Sequence, residues 1–176
     1  MQFREVTLPS GQRFQVPQGI QRIDSRSTHG WQVRYQGTKL FSDGKPADPR
    51  QALASAMREL LERVSTLPLN SPLKQEPGAG KTSDLPAGIS GPILRVRQGR
   101  VATAELSVSL PCFGRRVDIK SVYIGSQNTY TEDKYRKALA KCIELRASAV
   151  ERYLQDAEKA RRATMTSLRK QLQALR

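Results

Sequence analysis

The hydrophobic period of this chain switches twice, from about two residues to about 3.6, and an aperiodic stretch separates the two switches. Short alternating runs give way near residue 48 to an apolar stripe at helical spacing, and the same order returns after residue 91. Alternation places successive side chains on opposite faces of a strand, whereas three-four spacing gathers them on one side of a helix. The pattern therefore predicts an α+β chain of two small domains, each a three-stranded antiparallel sheet packed on one helix, with a long C-terminal helix. The expected boundaries are 1–64 for the first domain, 65–90 for a flexible linker, 91–150 for the second domain and 151–176 for a helical extension.

In the first half, REVTLPSGQRFQV reads as a hairpin about a Pro-Ser-Gly turn, and GIQRIDSR, GWQVRYQ and TKLFSD read as further short strands. Asp48, followed by Pro49 and then Gln51, combines a helix N-cap with a proline at the first helical position. Leu53, Ala56, Met57, Leu60, Leu61 and Val64 then form one apolar face along residues 49–64. The second half follows with GPILRVRQGR, TAELSVSLPCFGRR and DIKSVYIGS, and a helix is expected from near Thr131, with Thr129 and Glu132 as a capping box. Aligning the two helices pairs Arg50, Ala52 and Leu53 with Arg136, Ala138 and Leu139, so an internal duplication is expected.

The stretch STLPLNSPLKQEPGAGKTSDLPAGIS, between the halves, has the Pro, Gly and Ser content of a linker. Its GAGKT segment is not a phosphate loop. That motif needs a glycine at position 75, where this chain has Gln75, and it needs a strand before and a helix after.

Thirty Lys and Arg against 16 Asp and Glu give a formal net charge of +14. The excess is +4 over residues 1–64, zero over 65–90, +6 over 91–150 and +4 over 151–176, so it flanks a neutral middle. A polyanion is the expected partner, and nucleic acid is the first candidate. No apolar run approaches the roughly 20 residues needed to span a bilayer, and MQFREVTLPS lacks the order of a signal peptide. No membrane partner is expected, and the protein is read as intracellular. Cys112 and Cys142 are too few for a disulfide scaffold, and one histidine, His29, without a CxxC pair argues against zinc. No catalytic constellation is visible, so neither an enzyme nor a cofactor is expected.

The segments GIQRI, GWQVRYQGTKLF and PRQALASAMRELLERV resemble the plant ethylene-response-factor (APETALA-like) DNA-binding domain and its phage and bacterial relatives. SVYIGSQNTYTEDKYRKALAKC is similar to the same family's third strand, glycine turn and helix start. The resemblance implies a three-stranded sheet backed by a helix, with the sheet entering the DNA major groove, and it carries contact roles onto Arg22 and Trp31. Where the family has an arginine-rich first strand, this chain has Arg22 between Gln21 and Ile23.

The residues support a sheet reader on their own. Alternation sends Trp31, Val33 and Tyr35 to one face and Gln32, Arg34 and Gln36 to the other. Arg can pair bidentately with guanine and Gln with adenine in the major groove. Arg22, Arg26, Gln32, Arg34 and Lys39 form the expected reading surface of the first domain; Trp31 is either core packing or a stacking contact. In the second domain, Arg95, Arg97, Arg100, Arg115, Arg116 and Lys120 are expected to contact phosphates more than bases.

From Thr131 onward no proline or glycine interrupts the chain. Tyr135, Leu139, Cys142, Ile143, Val150, Tyr153, Leu154 and Ala157 continue an apolar stripe that Met165, Leu168, Leu172 and Leu175 resume. A stripe longer than one small sheet can cover predicts a homodimer through this helix. The expected function is duplex DNA binding, as a transcriptional regulator or a nucleoid-type architectural protein, cytoplasmic at the nucleoid if bacterial or phage and nuclear if eukaryotic. RNA binding, or an adaptor role for acidic protein partners, is the alternative.

Overall fold

The computed structural model describes residues 2–67 and 73–175. The fold is α+β, and the chain divides into two compact units: residues 1–70 with 158–176, and residues 71–157.

The first unit opens with a hairpin, β1 (Phe3–Thr7) and β2 (Arg13–Pro17), then a three-stranded antiparallel sheet of β3 (Ile20–Asp24), β4 (His29–Arg34) and β5 (Thr38–Ser42), with β4 central. Helix α1 (Pro49–Thr66) follows. The hairpin is a separate two-stranded sheet, so this unit carries more than the three strands expected of its domain. The N-cap works as its residue types require: the Asp48 carboxylate accepts from the Gln51 N–H at 2.9 Å, and Pro49 gives up no bond at N1. Ala52, Leu53, Ala56, Met57, Leu60 and Val64 turn inward from α1 onto Ile20, Trp31 and Val33 of the sheet and Phe14 and Val16 of the hairpin. Leu168 is fully buried in this core, with Met165, Leu172 and Leu175 packed against it. The C-terminal stripe is therefore covered by the chain's own first core.

The second unit holds β6 (Ile89–Arg95), β7 (Thr103–Leu110) and β8 (Asp118–Ser126), again antiparallel with the middle strand central. It also holds the larger part of α2 (Glu132–Ala174). Ala104, Leu106, Val108 and Leu110 of β7 are buried in strict alternation against Ile124, Ala138, Cys142 and Ala149. Burial pushes the Cys142 thiol up from its ordinary range and keeps it neutral. The α2 cap is Thr131, whose hydroxyl accepts from the Lys134 N–H at 3.2 Å. Thr129 instead accepts from the Ser126 N–H at 2.9 Å and closes the preceding turn, which moves the expected cap two residues on.

Of the segment read as a linker, 68–72 lie outside the described residues. Its later part carries no regular structure but is held to the second unit. Leu85 and Ala87 are buried, and the Lys81 ammonium donates to the carbonyls of Leu85, Pro86 and Ile89 at 2.6, 2.7 and 2.9 Å. Those bonds match the three donors of an ammonium. The lysine of GAGKT thus serves the backbone.

Candidate nucleic-acid interface

Each sheet has a helix on one face only, so each has a second face to offer. Cross-strand partners in an antiparallel pair project to the same side, and the register sorts the candidates. Trp31 lies opposite Arg22 on one side and Phe41 on the other, and Val33 lies opposite Ile20 and Lys39. Trp31 and Val33 are fully buried against α1. Arg22 and Lys39 therefore belong to the helix side of the sheet. The outer face of the first unit is Gln21, Ile23, Gln32, Arg34, Thr38, Leu40 and Ser42.

The structure gives three of the expected readers other partners. The Trp31 indole N–H donates to the Pro49 carbonyl at 2.8 Å, and its ring meets Phe14 edge-on at 5.8 Å, so it is a core residue. Arg22 stacks on that ring at 5.1 Å and is bound through both ends of its fork, to Asp24 at 2.8 Å and to Asp43 at 2.7 Å. Burial alone would lower its pKa, but the two carboxylates raise it further above its ordinary value. In return the Arg22 guanidinium, and then His29, hold the Asp24 carboxyl below the usual range. With its side chain only 11 % exposed and its charge cancelled twice, Arg22 has nothing left for a base. Lys39 pairs with Glu59 of α1 at 2.6 Å. Glu59 is also bound by Arg63, which donates to the carbonyls of Tyr35 and Gly37 and ties the β4–β5 turn to the helix. Lys39 and then Arg63 hold the Glu59 carboxyl below its ordinary value.

What remains outward in the first unit is polar. Arg34 is exposed and donates to the Gln32 carboxamide oxygen at 2.6 Å, so the two present a joined donor and acceptor set. Arg26 is exposed in the β3–β4 turn. Gly30, where β5 passes closest, leaves no room for a side chain: a Cβ there would sit 2.3 Å from the Phe41 carbonyl oxygen.

In the second unit, Ile93, Arg95 and Thr103 share the outer face with Glu105, Ser107, Ser109, Ile119, Ser121 and Tyr123. Arg95 is paired with Glu105, whose carboxylate also accepts from the Ser121 hydroxyl, so this arginine is half spent within the sheet. Lys120 lies opposite the buried Val108 and so takes the helix side, at the exposed end of the strand. Arg97 and Arg100 stand in the β6–β7 turn, and Arg115 and Arg116 in the β7–β8 turn. All four are exposed, and none has an ion pair among the described residues. Because β7 joins the two turns, they lie at opposite ends of the sheet. The seven steps of about 3.4 Å between the eight residues of β7 separate them by roughly 24 Å. Tyr123, 60 % exposed, sits on the open face between them, a residue that the sequence reading passed over. Its place in the alternation KSVYIG, one from the buried Ile124, was the available signal.

Among the described residues, no group of three or more His, Cys, Asp or Glu could hold a metal ion, and no helix is long and apolar enough to cross a membrane. No protein-family model, curated protein or solved structure matches the chain.

Proposed function

We propose that the protein binds duplex nucleic acid, DNA first, through the open faces of its two three-stranded sheets, in the manner implied by the ethylene-response-factor resemblance. The observation that carries this reading is the pair of unpartnered arginine turns at the two ends of the second sheet's open face. A B-DNA major groove is about 12 Å wide. A face roughly 24 Å long can lie in it and still set Arg97 and Arg100 against one phosphate rim and Arg115 and Arg116 against the other. These groups supply affinity without sequence preference, because phosphates carry no base identity. Gln32 and Arg34 of the first unit supply the hydrogen-bonding pair suited to base edges. A regulator or architectural protein at the nucleoid, or in a nucleus, is the role that follows.

The homodimer expected from the tail loses part of its basis, since Leu168 and its neighbours are covered within the first unit. A dimer through α2 would instead use Ile143 and Leu154, each over 40 % exposed. RNA is the second reading, favoured by the exposed Tyr123, because single-stranded RNA readers stack bases on sheet aromatics.

The test titrates duplex DNA and single-stranded RNA at two salt concentrations. Duplex binding is expected to dominate, with log K falling by about 0.9 per phosphate contacted for each unit of log salt. Arg115→Ala should weaken all duplexes alike, whereas Arg34→Ala should cost about 1 to 3 kcal/mol on a selected site and little on scrambled DNA. A slope near zero, or tighter binding to the RNA, would overturn the reading.

A further inference from the structure

The β6–β7 hairpin carries apolar side chains that the fold leaves in water. Leu94 lies opposite Ala104 on the helix side of the sheet, yet Ala104 is 6 % exposed and Leu94 72 %. Cover therefore reaches Ile89 at the start of β6, which is fully buried, but not the far end of that strand. Val96, at the same parity one step further out, is 77 % exposed, and Val101, on the returning limb, 49 %. Between them the chain turns through Gly99 at φ +72°, closed by the Arg100 N–H donating to the Arg97 carbonyl at 3.0 Å. The last ladder pair is Arg95 with Thr103, so residues 96–102 project past the sheet as a tip.

Apolar groups this exposed mark a surface that another molecule covers, and the charge around them selects its chemistry. No acid occurs between Asp84 and Glu105, whereas Arg95, Arg97 and Arg100 fall in that interval. The partner must therefore be polyanionic and must offer an apolar cleft beside its charges. The minor groove of a nucleic-acid duplex does both: sugars and base edges line it, phosphates rim it, and proteins that enter it wedge aliphatic side chains between base steps while arginines hold the walls.

We propose that this hairpin tip inserts into the DNA minor groove, with Leu94 and Val96 as the wedge and Arg97 and Arg100 on the flanking phosphates, and that insertion bends the duplex. The proposal rests on the DNA-binding reading above and deepens it: Arg97 and Arg100 hold the phosphate rim that the two grooves share, and Leu94 and Val96 pass over that rim into the minor groove. An apolar ridge one strand wide, with arginines on the other side of the same strand, suits the narrower groove, where a wedge meets both walls. A flat anionic membrane could also take such a tip, and the test separates the two.

The full-length protein and its Leu94→Ser/Val96→Ser variant are titrated onto a duplex of about 30 base pairs labelled at both ends, with end-to-end energy transfer reporting the bend. The wild type is expected to bring the ends together. The variant should leave them apart and bind at least about tenfold more weakly, with an unchanged salt slope, because no phosphate contact has been removed. Netropsin, which occupies the minor groove, should abolish the wild-type bend, whereas methyl green, which occupies the major groove, should weaken wild-type and variant binding by the same factor; the netropsin arm does not depend on how the variant folds. An equal bend in the variant, or indifference to netropsin, would overturn the wedge while leaving duplex binding intact. Loss of binding to phosphatidylserine vesicles with duplex binding unchanged would assign the tip to membranes. A wild type that binds no duplex would overturn both readings.

Discussion

Leu168→Ala tests what the end of the long helix does. Leu168 is fully buried in the first unit's core, far in sequence from every other residue that is buried there. Truncating a fully buried leucine costs about 2 to 5 kcal/mol, and the cost falls within that range according to how well the site collapses. Here Met165, Leu172 and Leu175 are only partly buried, so the last turns of α2 can settle inward, and a loss near 3 kcal/mol is expected. The assay is built into the molecule. Trp31 is the chain's single tryptophan and lies in the same core, so its fluorescence reports the first unit alone. With a urea dependence of about 1 to 2 kcal/mol per molar for a small unit, the fluorescence midpoint should fall by roughly 2 M. It should fall equally at low and high protein concentration, because the contact is made within one chain. A midpoint shift under about 0.3 M would show that Leu168 does not support this core. A shift that shrinks as protein is concentrated would mean that the stripe closes a dimer instead, since oligomer stability rises with protomer concentration.

Asp43→Ala leaves Arg22 buried beside Trp31 with only Asp24 to answer its charge, so the same fluorescence transition should lose about 3 kcal/mol, whereas Arg26→Ala on the exposed turn should leave it within about 0.5 kcal/mol. Because the folded-state pKa of Asp24 is lowered, its contribution is complete above the ordinary value of 3.8 and disappears as pH falls through the lowered one; Asp24→Asn should therefore flatten the acid limb of a stability-against-pH curve and lower the neutral plateau. Gly30→Ala drives a methyl group to 2.3 Å from the Phe41 carbonyl, which the β4–β5 ladder cannot absorb, and amide exchange in β5 should rise to the rate of a locally unfolded segment. In the native protein Cys142 should resist a thiol reagent that reacts with Cys112, because the first is buried and neutral and the second only half-buried.

Local chemistry in the sequence reached a long way into this fold. The order of strands and helices, the cap at Asp48, the inward stripe of α1 and the alternation of Trp31, Val33 and Tyr35 against Gln32 and Arg34 each depend on residues close together in the chain. What lay beyond reach depends on register. Alternation within one strand shows which residues share a side, but only pairing shows which side that is. In TKLFSD, Leu40 and Phe41 are adjacent and both apolar, so either could face the core. The pairing of Phe41 with Trp31 decides it and carries Lys39 to the helix side. In GIQRID, Ile20 and Ile23 sit three apart, which no strand can bury together. Sequence alone therefore puts Arg22 on the reading surface, whereas its position opposite Trp31 places it with Asp43, a partner 21 residues away. The tail stripe had the same limit. Three-four spacing states that an apolar face needs cover, and a second copy or the chain's own first core meets that need equally well.

Formal charge and available charge part company for the same reason. Residues 1–64 and 91–150 each carry a positive excess, +4 and +6, and on sequence alone either could grip a polyanion. In the first unit, Arg22, Lys39 and Arg63 are committed to Asp24, Asp43 and Glu59, and their fields are cancelled within a few ångströms. In the second, Arg97, Arg100, Arg115 and Arg116 stand on turns and have no ion pair among the described residues. A charge can release counterions from a phosphate only if it is not already neutralised, so Arg22, Lys39 and Arg63 add little to the salt-dependent part of the proposed binding, and the four turn arginines of the second unit add more. The first unit then contributes chiefly through Gln32 and Arg34, joined on its outer face. Measured separately, the salt slope should follow substitutions at Arg97 and Arg115, and sequence preference should follow substitutions at Gln32 and Arg34.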